Sequence, residues 1–497
     1  MLLKHLLHEI SPCPIEEPYA EWDIEALSCD SRKISKNSLF VALKGSSYDG
    51  ASFIQEAVQK GSRAIVSSLD PKSLKLNDNV YFLQVEDPRR VLRNLTQRFY
   101  GDPSQNVKTI GITGTNGKTT VTYLIESIFK QAGKDCGVIG TINYRLKEKV
   151  IPSGNTTPGF LENQQWLSLM KEEGINYCIM EVSSHALDQG RVDGINFEVG
   201  LFTNLTSDHL DYHHTRENYF LAKSKLFSNL SSEAKAVINT DDPYGQRLVS
   251  MTEAKIFTYG IKNRAYVMAK DIQESIQITQ FKIVCPEGEV LIRTPLIGAH
   301  NIYNMLAAAA AALSQGLSLE VIRKGLEGVL NVPGRLEKVN CGQNYTIFLD
   351  YAHTQDALEN VLSTIKKVTD AKVILVFGCG GNRDKTKRPA MGKVASQLAD
   401  QVIITNDNPR GEDPQSIINQ IVEGFEGDHY TVISDREEAI HKALEMAKSG
   451  EIVLLAGKGH ETYQIFQEGT IKFDERQIVR SYLYERQSLN AVDTQSH

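Results

Sequence analysis

The stretch Lys108 to Gly133, KTIGITGTNGKTTVTYLIESIFKQAG, decides the fold. It opens with a short apolar run, passes through a Gly/Thr-rich loop and continues with apolar residues at helical spacing up to Gly133, a helix stop. Strand, glycine loop and helix in that order make a phosphate-binding unit. Glycines at 114 and 117 let backbone amides turn toward anionic oxygens, Lys118 can reach β- and γ-phosphates, and Thr119 can ligate Mg²⁺. Gly114, Thr115, Asn116, Gly117, Lys118, Thr119 and Thr120 are therefore the candidate ATP-binding loop. The strict G-x-x-x-x-G-K-[ST] spacing is not met, because its first glycine would fall on Ile112.

Working outward, apolar runs CGVIG, NYCIMEV, VGLFTNL and AKAVINTDD follow the loop, separated by helix-like stretches, which predicts an α/β domain with a parallel sheet. A long helix over 301–315 and a shorter one near 320–330 close this region. Val332-Pro333-Gly334 is a break. Beyond it TIFLDYA, KVILVFGCGG, QVIITNDNP, YTVISD and EIVLLAGKG alternate with helices, a second doubly wound unit. Before the loop, LFVAL (39–43), AIVSS (64–68) and VYFLQV (80–85) read as short strands, with helices around 53–60 and over 91–100. Expected domains are 1–105, 106–332 and 333–497, in keeping with 497 residues at ~150 per domain.

Composition narrows the partners. A net charge of −7 with no long basic run speaks against nucleic acid. Seven cysteines at 13, 29, 136, 178, 285, 341 and 379 form no C-x-x-C pair, as expected of reduced thiols in the cytoplasm. The N-terminal MLLKHLLHEISPCP is too interrupted for a signal peptide, and the Ala-rich run from Met305 to Leu313 is about half a membrane span.

Further motifs stand in a fixed order: DSR (30–32), NTTP (155–158), EVSSHALDQGRV (181–192), TNLTSDHLDYH (203–213), AKSKLF (222–227), GAHNIYN (298–304), PGRLE (333–337), DYAHTQDALEN (350–360), FGCGGNRDKTKRP (377–389), NDNPRGEDP (406–414) and GKGHETYQ (457–464). With GITGTNGKTT, this series resembles the Mur ligases over nearly the whole chain. The resemblance implies three domains: a UDP-binding domain, a central ATPase and a Rossmann-like C-terminal domain. It also implies an ATP- and Mg²⁺-dependent ligase of peptidoglycan precursor synthesis, acting as a monomer. Such an enzyme adds meso-diaminopimelate to UDP-N-acetylmuramoyl-L-alanyl-D-glutamate through an acyl phosphate.

Carried over by motif, Lys118, Glu181, His209 and Lys223 are the catalytic set, with Thr119, Glu181, His209 and Lys223 as metal ligands. Lys223 would act as N6-carboxylysine, a carbamate formed with CO₂. The physical logic is that an ammonium beside divalent cations is repelled, so that its neutral amine can capture CO₂. Lys225 is the neighbour most easily confused with it, and His213, four residues after His209, would share its face on a helix. The resemblance assigns His300, Asn301, Arg335, Asp350 and His353 to ATP. It gives Ser31, Asn155, Thr156, Thr157, Ser183, Gln189 and Arg191 to the UDP-substrate, and Arg383, Asp407, Asn408, Pro409, Arg410, Gly457 and Glu461 to diaminopimelate. The loop Lys44–Gly50 departs from members that carry His-Gln there. Two enzymatic alternatives remain: the L-lysine-adding ligase, which lacks the arginine of DNPR, and a folylpolyglutamate synthetase, in which DSR and DNPR have no place.

Overall fold

A computed structural model describes all residues except 12–13, 46–47, 75, 77–78, 207 and 494–497. The chain forms two compact units. The first comprises Met1–Gly114, Lys134–Ala236 and Arg247–Ile256, the second Thr115–Gly133, Val237–Gln246 and Phe257–His497.

In the first unit, β1 (Ala26–Ser28), β2 (Ser38–Val41), β3 (Ser62–Ser67) and β4 (Tyr81–Gln84) form a four-stranded sheet in that order, parallel throughout. Alternate residues of β2 point to opposite faces. Leu39 and Val41 join a core with Leu3, Leu92 and Leu95, while Phe40 packs with Ile54 and Ala57. The helix Pro88–Tyr100 covers one face, its first turn capped by the Asp87 carboxylate.

The chain then enters β5 (Lys108–Thr113), β6 (Cys136–Ile139), β7 (Asn143–Leu146), β8 (Lys149–Pro152), β9 (Tyr177–Glu181) and β10 (Phe197–Phe202). Their order is β10-β5-β9-β6-β7-β8. The first four strands run parallel, and β7 and β8 add an antiparallel hairpin. β5 is buried from Thr109 to Thr113, as expected of a central strand covered on both faces. Its register sets Ile112 beside Glu181 of β9.

β11 (Lys235–Asn239) and β12 (Lys255–Gly260) follow. In the second unit β12 pairs with β13 (Val267–Glu274), which continues as an antiparallel meander through β14 (Thr279–Cys285) and β15 (Gly288–Thr294). The helix Lys118–Gln131 packs against the helices Ala299–Ser314 and Leu319–Glu327, and Ser127 donates to the Gly325 carbonyl at 2.7 Å.

The remaining sheet contains β16 (Glu337–Val339), β17 (Thr346–Asp350), β18 (Val373–Phe377), β19 (Gln401–Ile404), β20 (Tyr430–Val432) and β21 (Ile452–Ala456). Its order is β16-β17-β21-β18-β19-β20, parallel but for β16. β18 divides by period two, with Val373, Leu375 and Phe377 in one core and Ile374 and Val376 in the other. Helices on both faces make it doubly wound. Because β17, β18, β19 and β21 are parallel, DYAH, GCGGNRD, NDNPR and GKGHE all emerge at one carboxyl edge. A small hairpin, β22 (Tyr463–Phe466) and β23 (Gly469–Lys472), follows the last of these loops.

Candidate active site

The phosphate loop turns on two glycines with left-handed or extended positive φ, 141° at Gly114 and 90° at Gly117. A side chain would not fit at either. A Cβ at 114 would lie 1.9 Å from Thr203 Oγ1, and one at 117 would lie 2.3 Å from Asn304 Oδ1. The helix then begins at Lys118, and a helix N-terminus is where backbone amides can face an anion. Lys118 Nζ folds back onto the Thr115 carbonyl at 2.9 Å, while Thr115, Thr119 and Thr120 are buried.

At the end of β9, Glu181 is 1% exposed. Its carboxylate accepts from the amide and the hydroxyl of Thr141, both at 2.9 Å, and Thr141 Oγ1 lies 3.1 Å from Thr156 Oγ1. A buried carboxylate needs such donors to offset lost hydration. Thr157 donates to the Glu181 carbonyl at 2.8 Å and accepts from the Ser183 amide at 3.0 Å. Arg191 reaches the Thr157 carbonyl at 3.2 Å and grips Gln189 Oε1 through Nε and Nη2 at 2.9 and 2.6 Å. Tyr144 donates to the Asn155 carbonyl at 2.6 Å. Thr156, Thr157, Ser183, Gln189 and Arg191 thus form one polar network around Glu181, with Asn155 held beside it by Tyr144.

The two histidines of the DHLDYHH run separate. His209 caps the short helix Leu210–His213 with φ 53°, so the pair does not share a regular helical face. His213 is buried, its Nε2 3.0 Å from Ser184 Oγ, a packed histidine. The His209 ring is half-exposed and stands edge-on to His185 at 4.9 Å. Ser207 of this motif lies outside the described residues.

Lys223 and Lys225 separate as clearly. Lys223 is 1% exposed, donates to the Gly114 carbonyl at 2.8 Å and lies 4.5 Å from the Tyr219 ring centroid. Lys225 is exposed and pairs with Asp188 at 2.9 Å. Among the described residues no three His, Cys, Asp or Glu side chains gather as a metal cluster. Within the first unit, Glu181 and His209 offer a carboxylate oxygen and an imidazole nitrogen, donors that a divalent cation takes.

Within the first unit a cleft of about 380 Å³ is lined by Asp30, Lys33, Arg89, Glu162, Gln189 and Arg191 among others. Ser31 does not line it, and its hydroxyl donates to Glu56 at 2.9 Å. In the 44–50 loop the backbones of Lys44 and Asp49 form an isolated antiparallel β-bridge, and Ser46 and Ser47 lie outside the described residues, as does Cys13.

In the second unit Asn301 is buried and donates to the Ile297 carbonyl at 2.8 Å, while His300 is exposed. Asp350 accepts from the amides of Leu336 and Ala352 at 2.7 and 2.8 Å, and burial raises its pKa against the pull of Arg335. Tyr351 is ringed by Arg335 at 5.4 Å, His353 at 4.6 Å and His460 at 4.8 Å. Among the described residues His460 Nδ1 has no hydrogen-bond partner, and burial, with Arg335 and Arg476 nearby, lowers its pKa from 6.5 to about 4. Below pH 6.5 the unfolded chain binds a proton that the folded one refuses until about pH 4. Stability contributed by neutral His460 is therefore complete above 6.5 and lost as pH falls toward 4. His460→Gln should flatten that acid limb, read as the difference between the two proteins' urea midpoints against pH. Parallel curves would refute the assignment.

The C-terminal loops interlock. Asn408 donates to Glu461 Oε2 at 2.9 Å and accepts from Lys458 Nζ and the Ile465 amide, both at 3.0 Å. Gln464 donates to the Asp407 carbonyl at 2.8 Å. Arg410 donates through its amide to the Ile465 carbonyl at 3.0 Å and through Nη1 to the Gly381 carbonyl at 2.9 Å. Gly457 donates to the Asp350 carbonyl at 3.0 Å, and Arg383 is exposed.

Three family models cover most of the chain: Mur ligase family, catalytic domain, over residues 23–100; Mur ligase middle domain over 112–312; and Mur ligase, glutamate ligase domain, over 334–459. The chain belongs to the Mur ligase family. It is 44% identical over 484 residues to the UDP-N-acetylmuramoyl-L-alanyl-D-glutamate–2,6-diaminopimelate ligase of Bacillus velezensis, covering 96% of this chain and 98% of that protein. With the enzyme of the same name from Geobacillus kaustophilus it shares 46% identity over 93% of this chain and 96% of the relative. A solved structure bearing that ligase name superposes with a TM-score of 0.69 at 33% identity, covering all of both chains.

For a Mur ligase, the motif reading omitted several side chains that hold this site. Thr141 and Tyr144 support Glu181 and Asn155 from across the sheet. Tyr351, Lys458 and Gln464 lie inside or beside quoted motifs. Lys458, fully buried between two assigned residues, had a signal in its position alone.

Proposed function

We propose that this Mur ligase joins meso-diaminopimelate to UDP-N-acetylmuramoyl-L-alanyl-D-glutamate, consuming ATP. The carrying observation is full-length identity of 44% and 46% to enzymes of that name. The interlocked loops bearing Arg383, Asp407, Arg410 and Glu461 support it. The domain limits 1–105, 106–332 and 333–497 belong to the same proposal, as do the monomeric state and a cytoplasmic location. Among the described residues no helix is long and apolar enough to cross a membrane.

In this reading the loop 114–120 cradles the ATP phosphates, with the Lys118 amine leaving the Thr115 carbonyl for the transferring phosphoryl group. Thr119, Glu181, His209 and the carbamate of Lys223 would hold Mg²⁺, which would supply positive charge between two polyanions. Asn155, Thr156, Thr157, Ser183, Gln189 and Arg191 orient the UDP-substrate so that its terminal carboxylate receives the γ-phosphoryl group. Ser31 belongs to the same substrate-binding set. Asn301 and Asp350 order the nucleotide-side loops, with His300, Arg335 and His353 exposed or stacked for contact. The amine of diaminopimelate then attacks the acyl phosphate carbon and phosphate leaves. Arg383 and Arg410 take the distal carboxylate, Asp407 and Glu461 its ammonium, and Asn408, Pro409 and Gly457 shape the pocket.

Phosphate release with the UDP-muramoyl dipeptide and each amino acid in turn tests the proposal. Turnover with meso-diaminopimelate should exceed that with L-lysine by about 100-fold in kcat/KM, because lysine leaves a guanidinium unpaired. Arg410→Lys should lose about as much with diaminopimelate, since an ammonium cannot make the planar paired contact. Equal or better turnover with L-lysine would assign the lysine-adding activity instead. Turnover with a folate and glutamate would assign the folylpolyglutamate activity.

A further inference from the structure

We infer that Arg388 and Glu412, which lie inside quoted motifs but carry no assigned role, are positioning residues that set the separation of the Arg383 and Arg410 loops and hence the choice of amino acid. The inference rests on the amino-acid reading of this site given above.

Arg388 follows the GCGGNRD loop, on the first turn of the helix Lys387–Leu398, and is fully buried. Its Nη1 donates to Glu412 Oε2 at 2.9 Å and Gln420 Oε1 at 2.7 Å. Its Nη2 donates to Glu412 Oε1 and the Gly380 carbonyl, both at 3.1 Å. Nε has no acceptor. A buried guanidinium with one donor unmet is a poor device for stability, since desolvation offsets most of the attraction. What this one does is join two loops. Gly380 lies three residues before Arg383, and Glu412 two residues after Arg410.

The same carboxylate accepts from the Asn382 amide, next to Arg383. The Gly381 amide donates to the Asn408 carbonyl, the Gly411 amide to Asn382 Oδ1 and Arg410 Nη1 to the Gly381 carbonyl, all at 2.9 Å. Asn382 and Arg410 both take left-handed backbone, φ 52° and 54°, which non-glycine residues hold only when their surroundings fix them. The Arg388–Glu412 pair lies beneath both. Hydrogen bonding to Arg388 holds the Glu412 carboxyl down at about 2, so the brace stays charged at working pH.

Two arginines that must meet one carboxylate tolerate little error in spacing. Loosening the brace should therefore act on diaminopimelate alone. Glu412→Gln and Arg388→Lys should each raise KM for meso-diaminopimelate about 10-fold, with kcat and the KM values for ATP and UDP-dipeptide within about 2-fold. Preference over L-lysine should fall by the same factor. Gln420→Ala, which touches the same guanidinium but neither loop, should lower the thermal midpoint and leave all KM values unchanged.

Unaltered KM for diaminopimelate in folded Glu412→Gln would overturn the inference. So would a uniform loss across all three substrates, or a Gln420→Ala phenotype equal to that of Glu412→Gln. The wild-type enzyme, run with both amino acids beside the variants, separates the failures. Wild type indifferent to diaminopimelate sinks the functional reading; wild type selective with selective variants sinks only the brace.

Discussion

Lys118→Ala should reduce ligation by about 10³-fold or more, with the protein still folded. Lys118 is the first residue of its helix, where alanine is well tolerated, and the hydrogen bond that the Thr122 hydroxyl donates to the residue-118 carbonyl at 2.9 Å survives the change. The amine donates to the Thr115 carbonyl within the loop. What disappears is a positive charge at the position where negative charge moves between oxygens. A 10³-fold loss corresponds to about 4 kcal/mol of transition-state stabilisation. Because the amine would contact transferring and leaving phosphates, kcat should fall more than KM for ATP rises. Stopped phosphate release by a variant with an unchanged thermal midpoint is the expected result. Near-normal turnover in the folded variant would remove the loop 114–120 from the reaction.

The strand–loop–helix centred on this lysine was legible because its physics is local. β5 is buried on both faces, the turn needs glycine, and the helix begins where the glycines end. The doubly wound C-terminal sheet was legible for the same reason, since apolar runs followed by polar loops mark the carboxyl ends of parallel strands. Contacts across strands were not. Nothing near Thr141 in the sequence announces that both its donors serve Glu181, 40 residues on. The meander β13–β15 escaped notice although β14 alternates cleanly, with Thr279, Phe281 and Ile283 in and Gln280 and Lys282 part-exposed. His213 had the spacing of a ligand partner, yet the left-handed backbone at His209 broke the helical face that spacing assumed. Arg388 and Glu412 both stand inside quoted motifs, but nothing in the sequence says that two charged residues 24 apart pair in the interior.

Lys223→Ala should be nearly inactive, about 10³-fold down, and high bicarbonate or acetate should restore part of the rate. Helical spacing already distinguishes this lysine. Tyr219, Phe220, Lys223, Leu226 and Phe227 lie on one buried stripe of the helix Arg216–Ser228, whereas Lys225 falls outside it and pairs with Asp188 at the surface. A lysine on an apolar stripe is costly unless its head group is engaged, and Lys223 Nζ is engaged with the Gly114 carbonyl and the Tyr219 ring. Gly114 opens the phosphate loop, so the amine reaches the first residue of that loop. Carboxylation would turn a cation beside bound phosphates into an anionic oxygen donor for a hard cation. Removing the side chain deletes that donor, and a small carboxylate diffusing into the vacated space can stand in for it. Lys225→Ala, by contrast, should remain within about 2-fold of wild type, as surface ion pairs contribute little. Intact-mass measurement under CO₂ gives an answer independent of turnover: wild type should carry the added mass of one CO₂, and Lys223→Ala should not. An unmodified wild-type mass under those conditions, or a Lys223→Ala variant that no carboxylate rescues, would leave Lys223 as a packing lysine and the metal site without its fourth ligand.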